Sequence, residues 1–286
     1  MRTFILFVLA VGIAGCDKPQ VANDSTKPSN KVKLASEIKW EKLNPARGDS
    51  SPQAGTLWGD RKGTVPTGFL AKFVDGFSSP PHIHNATYRA VVISGLIHND
   101  DPDAANMWMP VGSFWTQPKG EVHITSAKGR TTVALVEIDK GPYLVLPKEK
   151  AFDSGERPVN VDASNIVWVD LPGMPGSTNR PSIKRPKIAY LWGKLQDGQS
   201  NGTFVKLPAG FSGKIKSFGS TFRAVVIKGQ TQYQLSKTEI KSLEPGSYFS
   251  SKGESVHQVS SSKAEETIIY IRTNGKFNII PVLPKK

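Results

Sequence analysis

The sequence predicts an all-β protein in which one domain, a sandwich or closed barrel, is used twice in tandem. Three observations predict it. First, the chain repeats itself. Thr87 to Gly95 reads TYRAVVISG and Thr221 to Gly229 reads TFRAVVIKG, identical at seven of nine positions at an offset of 134. The same offset carries Leu57-Trp58-Gly59 onto Leu191-Trp192-Gly193 and Gly76-Phe77-Ser78 onto Gly210-Phe211-Ser212. It also carries Gly112 onto Gly246, His123 onto His257, Gly141 onto Gly275 and Pro147 onto Pro281. One ungapped register held over about ninety residues is a duplication. Second, each copy contains short β-branched runs closed by turns rich in Gly, Pro, Asp and Asn. Val91-Val92-Ile93 ends at Gly95, Val225-Val226-Ile227 at Gly229, and Thr132 to Val136 and Thr267 to Ile271 run toward Gly141 and Gly275. Third, no stretch of ten or more residues past the N-terminal apolar run has helical periodicity. Many short strands without a long helix point to an all-β sandwich or barrel.

The elements follow in order. Arg2 precedes an apolar run, Phe4 to Ile13, that is too short to span a bilayer core of ~30 Å as a helix. It ends in Ile13-Ala14-Gly15-Cys16, which resembles a bacterial lipobox. That resemblance implies export, removal of residues 1–15 and lipidation of Cys16; the alternative is an ordinary signal peptide with an incidental cysteine. Cys16 is the only cysteine, so lipidation would leave no thiol for a disulfide. Asp17 resembles the inner-membrane retention signal of Gram-negative lipoproteins, so the expected location is the periplasmic face of the inner membrane. Residues 17–38 are polar and read as a flexible tether. Residues 39–150 form the N-terminal barrel, 151–164 a charged, turn-rich linker, and 165–286 the C-terminal barrel.

A formal charge of +13 reads first as a soluble basic surface, with attraction to anionic headgroups as a second reading. No stretch interleaves clustered Lys/Arg with aromatics, so nucleic acid is excluded as a partner. There is no Gly-rich phosphate loop, no HExxH and no GxSxG turn. Of the five histidines, His82 and His84 stand two apart in Pro81-His82-Ile83-His84. On a strand both point to one face, which makes half of a metal site. His123 follows the turn Pro118-Lys119-Gly120.

These stretches are similar to the two motifs of the cupin superfamily. The first is Gly76, five residues, His82-x-His84, three residues to Tyr88, six residues, Gly95; the second is Gly112, five residues, Pro118-x-Gly120, two residues, His123. The Leu-Trp-Gly-Asp and Tyr-Arg-Ala-Val-Val-Ile-Ser-Gly stretches resemble more narrowly the DUF4437 family, near the ChrR-like cupins. The resemblance covers both repeats. It implies a bicupin of two double-stranded β-helix barrels, with His82, His84 and His123 converging on a divalent metal (Fe, Zn, Mn or Ni). The chain departs from the pattern at the usual glutamate ligand, whose place is taken by Tyr88. Three neutral ligands leave the ion its full charge and open positions, which favours a bidentate anionic ligand. Some three-histidine cupin dioxygenases are similar in this respect. Tyr88 then reads as a hydrogen-bonding or acid group, and Glu121 as a carboxylate or a group supporting a ligand histidine. The alternative is an ordinary polar pocket.

In the second copy the offset places Lys216, Phe218 and Phe222 where His82, His84 and Tyr88 stand, leaving only His257. That half is expected to hold no metal. Trp58, Trp108, Trp115 and Phe73 are either pocket lining or core. Arg89 and Arg223, which recur in both copies, read as structural ion pairs, and His98 as a solvated turn residue. Two function classes remain. One is a metal-dependent, dioxygenase-like oxidoreductase on a small chelating substrate, helped by Tyr88 and Glu121. The other is a non-catalytic ligand-binding or sensing lipoprotein with a structural metal. The expected partners are a small-molecule ligand and the membrane through the N-terminal lipid, with a homodimer left open.

Overall fold

The computed structural model describes residues 30–171 and 185–282. The apolar run, Cys16 and residues 17–29 of the expected tether lie outside them. Within the described residues the regular structure is almost all strand, with a few short 3-10 segments, and turns and loops join the strands.

The first half builds a seven-stranded antiparallel sheet. Its order is Val159–Val161, Phe114–Gln117, Tyr88–Asp100, Ile124–Ile138, Thr67–Phe73, Gln53–Trp58 and Glu41–Lys42. A short ladder of His82–His84 with Val145–Pro147 faces it. The second half repeats the plan with a seven-stranded sheet centred on Thr221–Lys228 and Thr267–Thr273. A five-stranded sheet, which includes Ser212–Ser217 and Ser255–Ser261, faces that one.

The repeated Ala-Val-Val-Ile run is continuous because its strand is buried on both sides. Ala90 and Val92 belong to the core inside the first half. Val91 and Ile93 point the other way, into a cluster shared with Phe204, Val225, Ile227 and Tyr270 of the second half. The two seven-stranded sheets therefore pack back to back. Trp58 lies against Gly68 and Trp192 against Gly202. A Cβ at either glycine would fall within about 2 Å of the indole, so only glycine lets the indole lie there.

Polar groups cross the same interface reciprocally. Arg89 pairs with Asp139 at 2.9 Å and lies 3.9 Å over the Trp192 ring, while Arg223 lies 5.5 Å over Trp58. The recurring arginines thus hold the halves together. Between them Arg272 reaches Glu137 at 3.2 Å and Asp139 at 2.6 Å, and Tyr270 donates to Glu137 at 2.7 Å. Burial pushes the Asp139 carboxyl up, but Arg272 and Arg89 outweigh it and hold it below its ordinary range.

Two stretches read as connectors are part of the sheets. Lys31–Lys33, inside the expected tether, adds a strand to the edge Tyr248–Lys252 of the second half. Val32 and Leu34 pack on that core, and Ile38 is buried against Gly55. Apolar residues at alternate positions make an amphipathic strand that an average over a polar segment hides. Within the expected linker, Val159–Val161 pairs with Phe114–Thr116 by the same alternation. His98, expected in solvent, is 1% exposed: the strand from Tyr88 continues through it to Asp100, and Met107 donates its N–H to His98 Nδ1.

Candidate metal centre

His82 and His123 are 41 residues apart in the chain and meet as an antiparallel pair. Each donates its main-chain N–H to the other's carbonyl at 3.0 Å. The Pro118-x-Gly120 turn brings His123 there. Gly120 has φ +79°, and a Cβ on it would strike the Phe152 carbonyl, so the turn requires glycine. The Gly120 N–H donates to the His84 carbonyl at 2.9 Å, which ties the turn to the histidine strand.

Strand alternation then sends the three imidazoles to one point. Their ring centroids are 5.0 Å (His82–His84), 4.3 Å (His82–His123) and 5.2 Å (His84–His123) apart. One nitrogen from each lies within 4.8 Å of the others, and all three residues are buried. A shared ion with bonds of ~2.0–2.1 Å closes that spacing by a small side-chain rotation. No other metal-holding cluster of His, Cys, Asp or Glu forms among the described residues.

Each Nδ1 faces a main-chain carbonyl: His82 that of Pro80 at 2.9 Å, His84 that of Leu144 at 3.0 Å, His123 that of Glu121 at 3.2 Å. A carbonyl only accepts, so each Nδ1 carries the proton and each Nε2 carries a lone pair. His123 Nε2 is buried with no partner. A buried acceptor left unsatisfied is costly unless something binds it. The donor set therefore fits a divalent transition metal, held by three neutral Nε2 atoms of fixed tautomer.

Burial suppresses protonation throughout the trio. Desolvation lowers the pKa of His82 and, with repulsion from His82, brings His123 down to about 3. His84 is pushed well below its ordinary value by burial and by His123 and His82. Protons compete weakly for these nitrogens, which leaves them free for a cation.

Tyr88 points inward with His84, their rings 5.2 Å apart. Its hydroxyl donates to Asn99 Oδ1 at 2.8 Å and accepts from Trp115 Nε1 at 3.4 Å. Asn99 is held in turn by Thr125 and Gln117, and Gln117 reaches the Glu121 carbonyl that also takes His123 Nδ1. Glu121 thus touches the centre through its main chain. Trp115 reaches the site through Tyr88. Trp58 lies in the inter-half cluster, Trp108 packs on His98 and Lys128, and Phe73 on Phe77.

Sequence reasoning missed Tyr143. Its ring stacks on His84 at 4.5 Å with 22° between planes, and its hydroxyl lies 3.3 Å from His84 Nε2. Asn85 fixes the segment on both sides, donating to the Pro142 carbonyl at 2.9 Å and accepting from Leu144 N–H at 2.8 Å. A signal existed: at the offset of 134, Tyr143 falls on Phe277, as Tyr88 falls on Phe222.

The second half also corrects one detail of the repeat. Strand pairing sets Ile215 opposite His257, where His123 faces His82, and Lys216 turns outward toward Glu254. Ser78–Ser126 and Ser212–Ser260 pair at the repeat offset, so the first copy has one extra residue, at Pro80-Pro81, before His82. Ile215 and Ser217, both buried, therefore occupy the ligand positions. His257 has both nitrogens engaged, with Tyr233 at 2.8 Å and Ser251 at 3.1 Å.

Comparisons with known proteins agree with this architecture. Residues 31–280 match the family model described as a domain of unknown function, DUF4437. No curated protein matches the sequence. Among solved structures, a candidate dioxygenase from Nostoc punctiforme superposes with TM-score 0.65 at 10% identity, covering 93% of this chain and 90% of that one. The Escherichia coli protein Ylba, of family DUF861, gives 0.55 at 14% identity, covering 86% and 91%. An oxalate decarboxylase from Lactobacillus farciminis, in complex with formate, gives 0.54 at 11%, covering 89% of each chain. At these identities the likeness speaks for the cupin fold alone.

Proposed function

This chain belongs to the DUF4437 family, and we propose that it is a metal-dependent oxidoreductase of dioxygenase type acting on a small, chelating, anionic substrate. The observation that carries the reading is the convergence of three Nε2 lone pairs, each fixed by a carbonyl behind it. A divalent ion held there would act as a Lewis acid with open positions and an uncompensated charge. The chain's own contribution is orientation and exclusion. Pro80, Leu144 and Glu121 set the imidazole tautomers. Tyr88, with its proton donated to Asn99, fixes the wall behind His84. Burial strengthens every charge interaction inside.

Membrane attachment through Cys16 and a periplasmic location belong to the same proposal and rest on the lipobox resemblance. Oxygen uptake tests the function. Iron-loaded protein supplied with a β-diketone should consume oxygen, and His82→Ala should not. Metal bound at the trio without oxygen uptake across such chelators would favour the non-catalytic, ligand-binding lipoprotein.

A further inference from the structure

We propose that Tyr143 is the specificity-determining hydrogen-bond donor of this centre, selecting an anionic oxygen ligand such as a carboxylate or enolate. The inference rests on the reading of His82, His84 and His123 as a metal centre. Two tyrosines lie against His84, and their hydroxyls differ in what they have left to give. Tyr88 has its proton committed to Asn99, and Thr125 and Gln117 hold Asn99 in place. The Tyr143 hydroxyl has one polar partner among the described residues, His84 Nε2 at 3.3 Å.

The two rings are stacked, so the Tyr143 hydroxyl sits over the edge of the imidazole. The in-plane lone pair of Nε2 stays open to a cation. Lying out of that plane, the Tyr143 proton has no lone pair of His84 aimed at it, and the acceptor it lacks would be an atom bound beside the ion. A carboxylate or enolate oxygen keeps a lone pair after coordination and can accept. A neutral nitrogen donor such as imidazole has none left. Tyr143 thus separates the two kinds of ligand, whereas the ion alone would take either. The segment is built to hold it there. Asn85 clamps Pro142 and Leu144, and the Leu144 carbonyl that orients His84 is next to Tyr143 in the chain. One short strap therefore sets both the ligand and the donor.

The test uses the whole chain loaded with Co(II), whose visible spectrum reports the metal and its added ligands. Tyr143→Phe keeps the stack on His84 and should leave Co(II) binding intact. Its affinity for acetate should fall about tenfold to a hundredfold, the loss of one hydrogen bond to a charged group. Its affinity for imidazole should be unchanged. Equal losses for acetate and imidazole, or no loss for acetate, would overturn the proposal. So would a phenolate-to-metal band in the Cu(II) form that disappears in Tyr143→Phe, because Tyr143 would then be a ligand. If the wild-type chain binds no Co(II), the metal reading itself fails, and that outcome is distinct from the others.

Discussion

A buried imidazole behaves differently with and without room for a cation, and this chain contains both cases. His257 lies against Phe222 at 4.5 Å, with Tyr233 and Ser251 on its nitrogens, and desolvation brings its pKa down from 6.5 to about 3. The unfolded chain takes up a proton near 6.5 and the folded one only near 3. This contribution to stability is therefore complete above pH 6.5 and is lost progressively as pH falls toward 3. Denaturant melts of His257→Phe against wild type across pH 7 to 4 should show a shallower loss in the variant. The trio His82, His84 and His123 is also buried but brings one nitrogen of each ring within 4.8 Å of the others. Those three residues were legible in the sequence because ligand spacing on a strand and after a Pro-x-Gly turn is a local pattern. Tyr143 was not, because it reaches His84 from a segment about sixty residues away. The role of Glu121 was half legible: the residue is adjacent, but its carbonyl does the orienting.

Two short elements decide whether that geometry exists. One is the strap Pro142 to Pro147, pinned by Asn85 and paired with the histidine strand. Asn85→Ala removes the pin without touching a ligand. It should lower metal affinity about 10–100-fold, as loss of groups that orient ligands does, with the thermal midpoint of the metal-free protein little changed. Competition with a chelator of known affinity measures this. The other is the extra residue at Pro80-Pro81, which turns His82 inward where the second copy turns Lys216 outward. Repeat arithmetic could not see it, since a bulge compensated a few residues later leaves the offset intact. Averages misled in the same way at residues 31–38, where Val32 and Leu34 alternate with lysines and so form a sheet edge. Strand identity came from β-branched runs and closing turns; strand partners at the edges depend on residues far away in sequence.

At the scale of the molecule, the two repeats build two sets of facing sheets that pack through reciprocal arginine–tryptophan contacts around a buried charge. The repeat and the all-β class were readable from one register, while the back-to-back contact was hinted at only by the unbroken Ala-Val-Val-Ile runs. Arg272 and Glu137 are 6% and 1% exposed at the side chain. Arg272→Met leaves the Glu137 carboxylate buried without its partner and should destabilise the chain by about 3–5 kcal/mol, seen in urea unfolding. Arg272 and Glu137 come from different halves, so the two should lose stability together. The copies nevertheless diverged in chemistry, since Ile215 and Ser217 occupy the positions of His82 and His84. The most direct test is the metal content of the natively expressed protein, measured beside His82→Ala. About one transition-metal ion per chain, absent from the variant, is the predicted result; a metal-free wild type, two ions per chain, or metal retained without His82 would contradict it.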